Sequence, residues 1–485
     1  MLSPLLIFFI LFGYFGLLIF IAHITRGDES NSSFFIGKRK SPWYIVSYGM
    51  IGATLSGITF LSVPGWVGES EFFYMQMVFG YVPGYLFVAW ILLPIYYKLN
   101  VFSIYEYLKK RFGYFSHKSG ASYFFLSRLL GASLRLYLVA LVLQSLLFDQ
   151  IGVPFYVTTF ITILLIWIYT FRGGIRTIIW TDTLQTTFML LTVLACIFFI
   201  YDDLNFKSIG DSLQHNNLNF RIFSFDNFND SSHFIRSFFS GMFIAIAMTG
   251  LDQDMMQKNL SCKNLKEAQK NMIWFSFILV CVNILFLYLG ALLYQYADFN
   301  NILSSGDNLF VDIIKYGELG VLVFVLFLLG LMSAAYSSAD SALTSLTTCF
   351  CIDFLDMKQK NTSTNFFSKR NLVHLFISLL LFLVILLVNY LNNDSIIATL
   401  FLLASFTYGP LLGLFVFGLF TRRKVIDYCV PIIVLIAPFL SYLLYNYDTY
   451  ILNGFNFGPD LIIVNAFITC CLLFIISSVD KSLFK

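Results

Sequence analysis

Long apolar stretches joined by short polar connections dominate the chain. Thirteen of them approach or exceed the roughly 17 to 25 residues with which a helix crosses about 30 Å of hydrocarbon. They lie near 4–23, 43–67, 72–97, 121–147, 155–171, 177–201, 234–252, 271–296, 319–348, 371–391, 394–419, 427–446 and 460–479. The pattern predicts an all-α polytopic membrane protein with about 13 transmembrane helices in a lipid bilayer. Composition agrees: 58% of residues are apolar and 12% charged, and the mean hydropathy of +0.79 is more than the surface of a water-soluble domain of this size tolerates.

Orientation follows from where Lys and Arg fall. Alternate connections hold 24 of the 30 basic residues, from Arg26, Lys38, Arg39 and Lys40 through Lys258, Lys263, Lys266 and Lys270 to Lys481 and Lys485. The opposite connections hold Lys207, Arg221 and Lys315, with Arg236 at a span edge. The expected topology places the N-terminus outside, the C-terminus in the cytoplasm and the protein in the plasma (cytoplasmic) membrane. The first segment has no basic stretch ahead of it and no A-x-A site, so it reads as a retained helix. The polar stretch 202–233 is the longest connection and is expected outside, too short for an enzymatic domain. With five histidines, no P-loop, no nucleophile elbow and no metal-ligand cysteine spacing, no enzyme is expected. The net charge of +3, confined to short loops, gives no reason to expect a nucleic-acid partner.

Two spans are interrupted by small residues at corresponding places: 48-YGMIGATLSGITFLSVPGW-66 in the second and 239-FSGMFIAIAMTGLDQDMM-256 in the seventh. Basic-residue parity makes them run in opposite directions. Paired, broken, oppositely directed spans point to an inverted-repeat transporter, although glycines also serve simple close packing.

The ninth span continues into 333-SAAYSSADSALTS-345. On a helical wheel Ser337, Ser338, Asp340, Ser341, Thr344 and Ser345 fall within an arc of about 160°. A single intramembrane hydroxyl commonly bonds back to a carbonyl one turn earlier, but five with a carboxylate form a candidate site. Asp182, in 177-TIIWTDTLQTTFMLL-191, is a second buried acid, with snorkelling to the nearby membrane edge as the competing reading. An intramembrane acid is by default a functional hypothesis. Hydroxyls and helix-break carbonyls suit Na⁺, whereas a proton needs only a carboxylate, so both ions stay open on the residues alone. Arg128 and Arg135 share a face of the fourth span; Arg128 reads as structural, and Arg135 as a solute contact or an internal ion-pair member.

Three segments in this order, 173-GGIRTIIWTDTLQ-185, 250-GLDQDMMQKNLSCKNLKEAQK-270 and 337-SSADSALTS-345, resemble the sodium:solute symporter family over nearly the whole chain. The resemblance implies a LeuT-type five-plus-five inverted-repeat core over spans two to eleven (43–419), preceded by one accessory helix (1–24) and followed by two more with a short tail (427–485). It implies sodium-coupled symport of a small organic solute of the sugar, carboxylate, amino acid or vitamin class, by a chain that functions as a monomer. A proton-coupled or uncoupled carrier and a transporter-like sensor are the alternatives. The implied first sodium site comprises backbone oxygens of Gly52, Leu55 and Ala334 with the hydroxyls of Ser337 and Ser338. A second site, present in some members, maps to Asp182, Ser337, Asp340 and Ser341, where Asp340 replaces the Ser or Thr of better-known members. Solute contacts are expected from Ser56 and Thr59, with Gln76 and Arg135 as further candidates.

Overall fold

The computed structural model describes residues 4–25, 30–206, 220–317, 319–357, 368–391, 396–448 and 454–479. Several expected features lie outside these residues: Arg26, the middle of the 202–233 loop with Lys207, Lys358 and Lys360, and the tail with Lys481 and Lys485.

Among the described residues, nine helices are long and apolar enough to cross a membrane. Two bent pairs, Trp43–Thr54 with Thr59–Ser70 and Phe234–Gly250 with Gln253–Leu260, bring the number to 11. The fifth and thirteenth expected spans are the shorter apolar helices Phe155–Phe171 and Leu461–Ile475. A count of thirteen therefore depends on these two short members. The last span, expected over 460–479, ends as a helix at Ile475, and Ser477–Val479 pairs antiparallel with Arg423–Val425. Ser477 Oγ donates to Phe474 O at 2.8 Å, so a hydroxyl takes up a carbonyl at the helix end and the chain is released into the ribbon. The ninth span is longer than expected, running over Val321–Cys349 and on through one wide turn to Phe354.

Connections assigned to one side by their basic residues meet one another. Ser41 bridges to Cys262, and Arg111 donates to the carbonyls of Gly418 (3.1 Å), Thr421 (2.7 Å) and Arg423 (3.0 Å). At the other end Arg221 pairs with Glu71 at 3.1 Å and Arg236 with Asp460 at 2.8 Å. The alternation read from charge thus recurs in the contacts.

Span nine packs more extensively against spans five and six than any other two helices do among the described residues. This brings the hydroxyl-rich arc against Asp182. Spans three and seven, by contrast, touch backbone to backbone. A Cβ on Gly80 would stand 2.0 Å from Phe238 O, and one on Gly241 would stand 2.1 Å from Met77 O. Small residues permit such an approach, which a larger side chain would pry apart. Gly80→Val is expected to cost about 1–3 kcal/mol or more, seen as a lowered melting midpoint in detergent. Gly13→Val, where a Cβ would meet nothing within 4 Å, should leave the midpoint unchanged.

Candidate ion and solute site

The second span breaks at Leu55 (φ −80°, ψ 82°) and Ser56 (φ −73°, ψ 175°), and its halves diverge by 57°. Ser56 N–H turns back to Thr54 O at 3.1 Å instead of to Gly52 O, so the Gly52 carbonyl drops out of the helical ladder. Gly52 packs tightly against span six: its N–H donates to Thr186 Oγ1 at 3.1 Å, and a Cβ here would lie 2.4 Å from that oxygen and 3.4 Å from Ser337 Oγ. Glycine is what lets the break, Asp182's helix and the serine-rich face converge. Span seven breaks at Leu251, with its halves 64° apart, and Asp252 caps the following helix by accepting from Asp254 N–H at 2.8 Å.

The polar face of span nine divides once its partners are known. Ser345 makes the local bond expected of an ordinary membrane serine, donating to Ala342 O at 3.0 Å. Ser337 donates across the interface to Asp182 Oδ1 at 2.7 Å, and Ser338 accepts from Arg135 Nη1 at 3.1 Å. Tyr169 donates to Asp340 Oδ2 at 3.0 Å. Asp340 Oδ1, Ser341 Oγ and Thr344 Oγ1 are buried with no hydrogen-bond partner among the described residues. Buried polar atoms without partners are uncommon in native proteins, and three on adjacent turns make an oxygen set suited to a small cation.

Asp182 does not snorkel. It is fully buried, and Lys258 Nζ stands 2.7 Å from its Oδ2. Lys258, grouped by charge with the loop residues, is itself only 1% exposed. It sits in the helix Gln253–Leu260 beyond the seventh break, where every residue is buried. The clue in the sequence is that the break falls before Asp252, so the charged run after it is continued helix. Both Asp182 oxygens are thereby bonded, one to an ammonium and one to Ser337. The second sodium set implied by the resemblance, Asp182, Ser337, Asp340 and Ser341, is met by an internal cation. Of the two acids, Asp340 is the one with no ion pair among the described residues, and its Oδ1 lies among the unpartnered oxygens.

A cavity of about 750 Å³, counting its open mouth, lies beside the break of span two. Ser56 and Thr59 line it, as expected, with Arg128, Arg135, Tyr74 and Tyr81 among its other walls. Gln76 does not. Its amide donates to Ser232 O at 2.9 Å and accepts from Ser224 N–H at 3.1 Å, so it anchors the connection that leads into span seven. The two arginines differ in what holds them. Arg128 pairs with Asp254 and lies 3.7 Å from Asp252, to which Tyr408 also donates, in keeping with a structural role. Arg135 has no ion pair among the described residues, and its Nε has no hydrogen-bond partner.

Two broken, oppositely placed helices facing an ion-like oxygen set and a central cavity agree with the sequence relationship. The profile of the sodium:solute symporter family matches residues 34–425. The chain belongs to that family. It is 28% identical over 426 residues to the sodium/sialic acid symporter NanT of Aliivibrio fischeri, covering 85% of this chain and 82% of the relative. With the sodium/sialic acid symporter SiaT of Proteus mirabilis it shares 24% over 434 residues, covering 85% and 84%. The structure of a Na⁺-coupled sialic acid symporter in a substrate-bound, outward-open state superposes with a TM-score of 0.83 over 96% of each chain at 21% identity. Mhp1, a nucleobase-cation-symport-1 family transporter, superposes with a TM-score of 0.59 over 92% of this chain and 94% of that one, at 16% identity. The fold is accordingly the LeuT-type one expected. As a sodium:solute symporter the protein is an integral membrane carrier that couples Na⁺ to solute movement, and not an enzyme.

Proposed function

We propose that this symporter imports a small organic anion, one bearing a carboxylate, with Na⁺ held between the break of span two and the face of span nine. The observation that carries the anionic reading is Arg135: a buried guanidinium on the cavity wall that forms no ion pair among the described residues, the nearby Asp252 lying beside Arg128 instead. A planar fork of donors suits a carboxylate. Ser56 and Thr59 supply hydroxyls to the lining of the same cavity. The sodium-bearing oxygens are those of Gly52, Leu55, Ala334, Ser337 and Ser338. Their convergence at the helix break supports this set, because Gly52 and Ser337 are brought into contact there. A second cation place is centred on the unpartnered oxygens of Asp340, Ser341 and Thr344, which Na⁺, or a proton on Asp340, would satisfy. In this reading the protein works as a monomer in the plasma membrane, N-terminus outside, with the basic connections in the cytoplasm.

Sodium bound at the break favours the solute-competent state, and by linkage the solute favours sodium equally. Low cytoplasmic Na⁺ then releases both. The test is uptake into liposomes of purified protein, driven separately by a Na⁺ gradient and by a pH gradient. Sialic acid, lactate and iodide would be offered beside glucose as an uncharged control. Sodium-driven uptake of an organic acid and none of glucose is expected. Uptake indifferent to Na⁺ sinks the coupling, and uptake of glucose alone sinks the anionic solute.

A further inference from the structure

Arg135 touches the solute cavity and the proposed sodium ligands at once. It lines the cavity, it is 7% exposed, and its one hydrogen bond among the described residues runs from Nη1 to Ser338 Oγ at 3.1 Å. Its Nε stands buried without a partner, so the guanidinium is incompletely satisfied where it rests. A hydroxyl oxygen has two lone pairs and could in principle serve both an arginine and a cation. Two positive charges on one oxygen nevertheless repel strongly when water is excluded. Arg128, seven residues earlier on the same helix, has no such freedom, because Asp254 and Asp252 hold it.

We propose that Arg135 is the residue through which solute occupancy controls the first sodium site. Without solute, the guanidinium lies on Ser338 and holds sodium affinity down. A carboxylate in the cavity satisfies the guanidinium's remaining donors and draws it off the serine, leaving that hydroxyl to the cation. The two bindings then reinforce one another, and an uncharged solute of the same shape fills the cavity without relieving the sodium site. This inference rests on the reading of Ser338 as a sodium ligand.

Sodium binding alone tests it, with no solute present. Purified full-length protein in detergent would be titrated with NaCl against choline chloride at constant ionic strength, following the melting midpoint. Arg135→Gln should bind Na⁺ more tightly than the wild type, on the order of tenfold, within the about 5- to 150-fold span of ordinary coupling. Arg135→Met, nearly the same length and uncharged, should do the same and serves if the glutamine variant does not fold. Arg135→Lys, which keeps the charge, should show little of the gain. Ser338→Ala should bind Na⁺ more weakly, and adding Arg135→Gln to it should raise the affinity by less than the same change does in the wild type, because the contested oxygen is gone. An arginine that only braces the helices would give weaker or unchanged sodium binding when removed. That result, with Ser338→Ala still impaired, overturns the inference and leaves the sodium site standing. Unchanged sodium binding by Ser338→Ala overturns the site itself and the inference with it.

Discussion

Lys258→Met is expected to destabilise the protein by roughly 3–5 kcal/mol, because it leaves the buried Asp182 carboxylate without the ammonium that faces it. Lys258 and Asp182 are 1% and 0% exposed and lie 2.7 Å apart. Desolvating both charges is already accomplished in the folded protein, and their mutual attraction, helped by the Ser337 hydrogen bond, offsets it. Removing both charges at once, as Asp182→Asn with Lys258→Met, should recover most of the loss, since no isolated charge then remains buried. The measurement is the melting midpoint of the four proteins in one detergent. If the double variant is as unstable as the two single effects added together, Lys258 and Asp182 are not acting as a pair.

The largest effect on transport is expected at Ser338. Its hydroxyl takes no part in holding Asp182, a task that falls to Ser337, so Ser338→Ala leaves that pair intact; because it removes the hydrogen bond from Arg135, its melting midpoint is measured beside its uptake. Loss of one oxygen from a dehydrated cation leaves a gap that a methyl group cannot fill, comparable with an unmade hydrogen bond to a charged group at about 1.5–3 kcal/mol. That corresponds to a rise of roughly tenfold to a hundredfold in the Na⁺ concentration giving half-maximal uptake, with maximal uptake approached again at high Na⁺. Ser345→Ala, removing a hydroxyl bonded to its own helix, is the matched control and should leave sodium dependence as it was. Equal behaviour of the two variants would remove Ser338 from the site.

The span pattern, both helix breaks and the polar arc of span nine were legible in the sequence because each is a local property: length, interruption and periodicity are all written along the chain. Which hydroxyls of the arc look outward was not. Ser338 and Ser345 are the same residue type on the same face, and only the neighbouring helices distinguish a cross-interface bond from a local one. Gln76 misled for a related reason. The resemblance put Gln76 among the solute contacts, yet the connection before span seven folds back over the third span and takes up its amide. Lys258 was hidden by its company. It lies among exposed lysines, Lys263 in the connection and Lys266 and Lys270 at the start of the next helix, and its burial depends on how far the helix continues after a break whose position composition places only within a few residues.

The glycine contacts between spans three and seven also bear on how the carrier moves. Where Gly80 meets Phe238 and Gly241 meets Met77, no side chain stands between the two backbones, and nothing there can lengthen, swing or exchange partners. The boundary between spans two, six and nine is the opposite kind, crossed by hydroxyls, a carboxylate and a lysine that can trade one neighbour for another. A machine built this way has a riveted joint and a latch. Opening the cavity is then expected to spare the first and undo the second, and in the proposed reading the latch is where the ion and the solute would take hold.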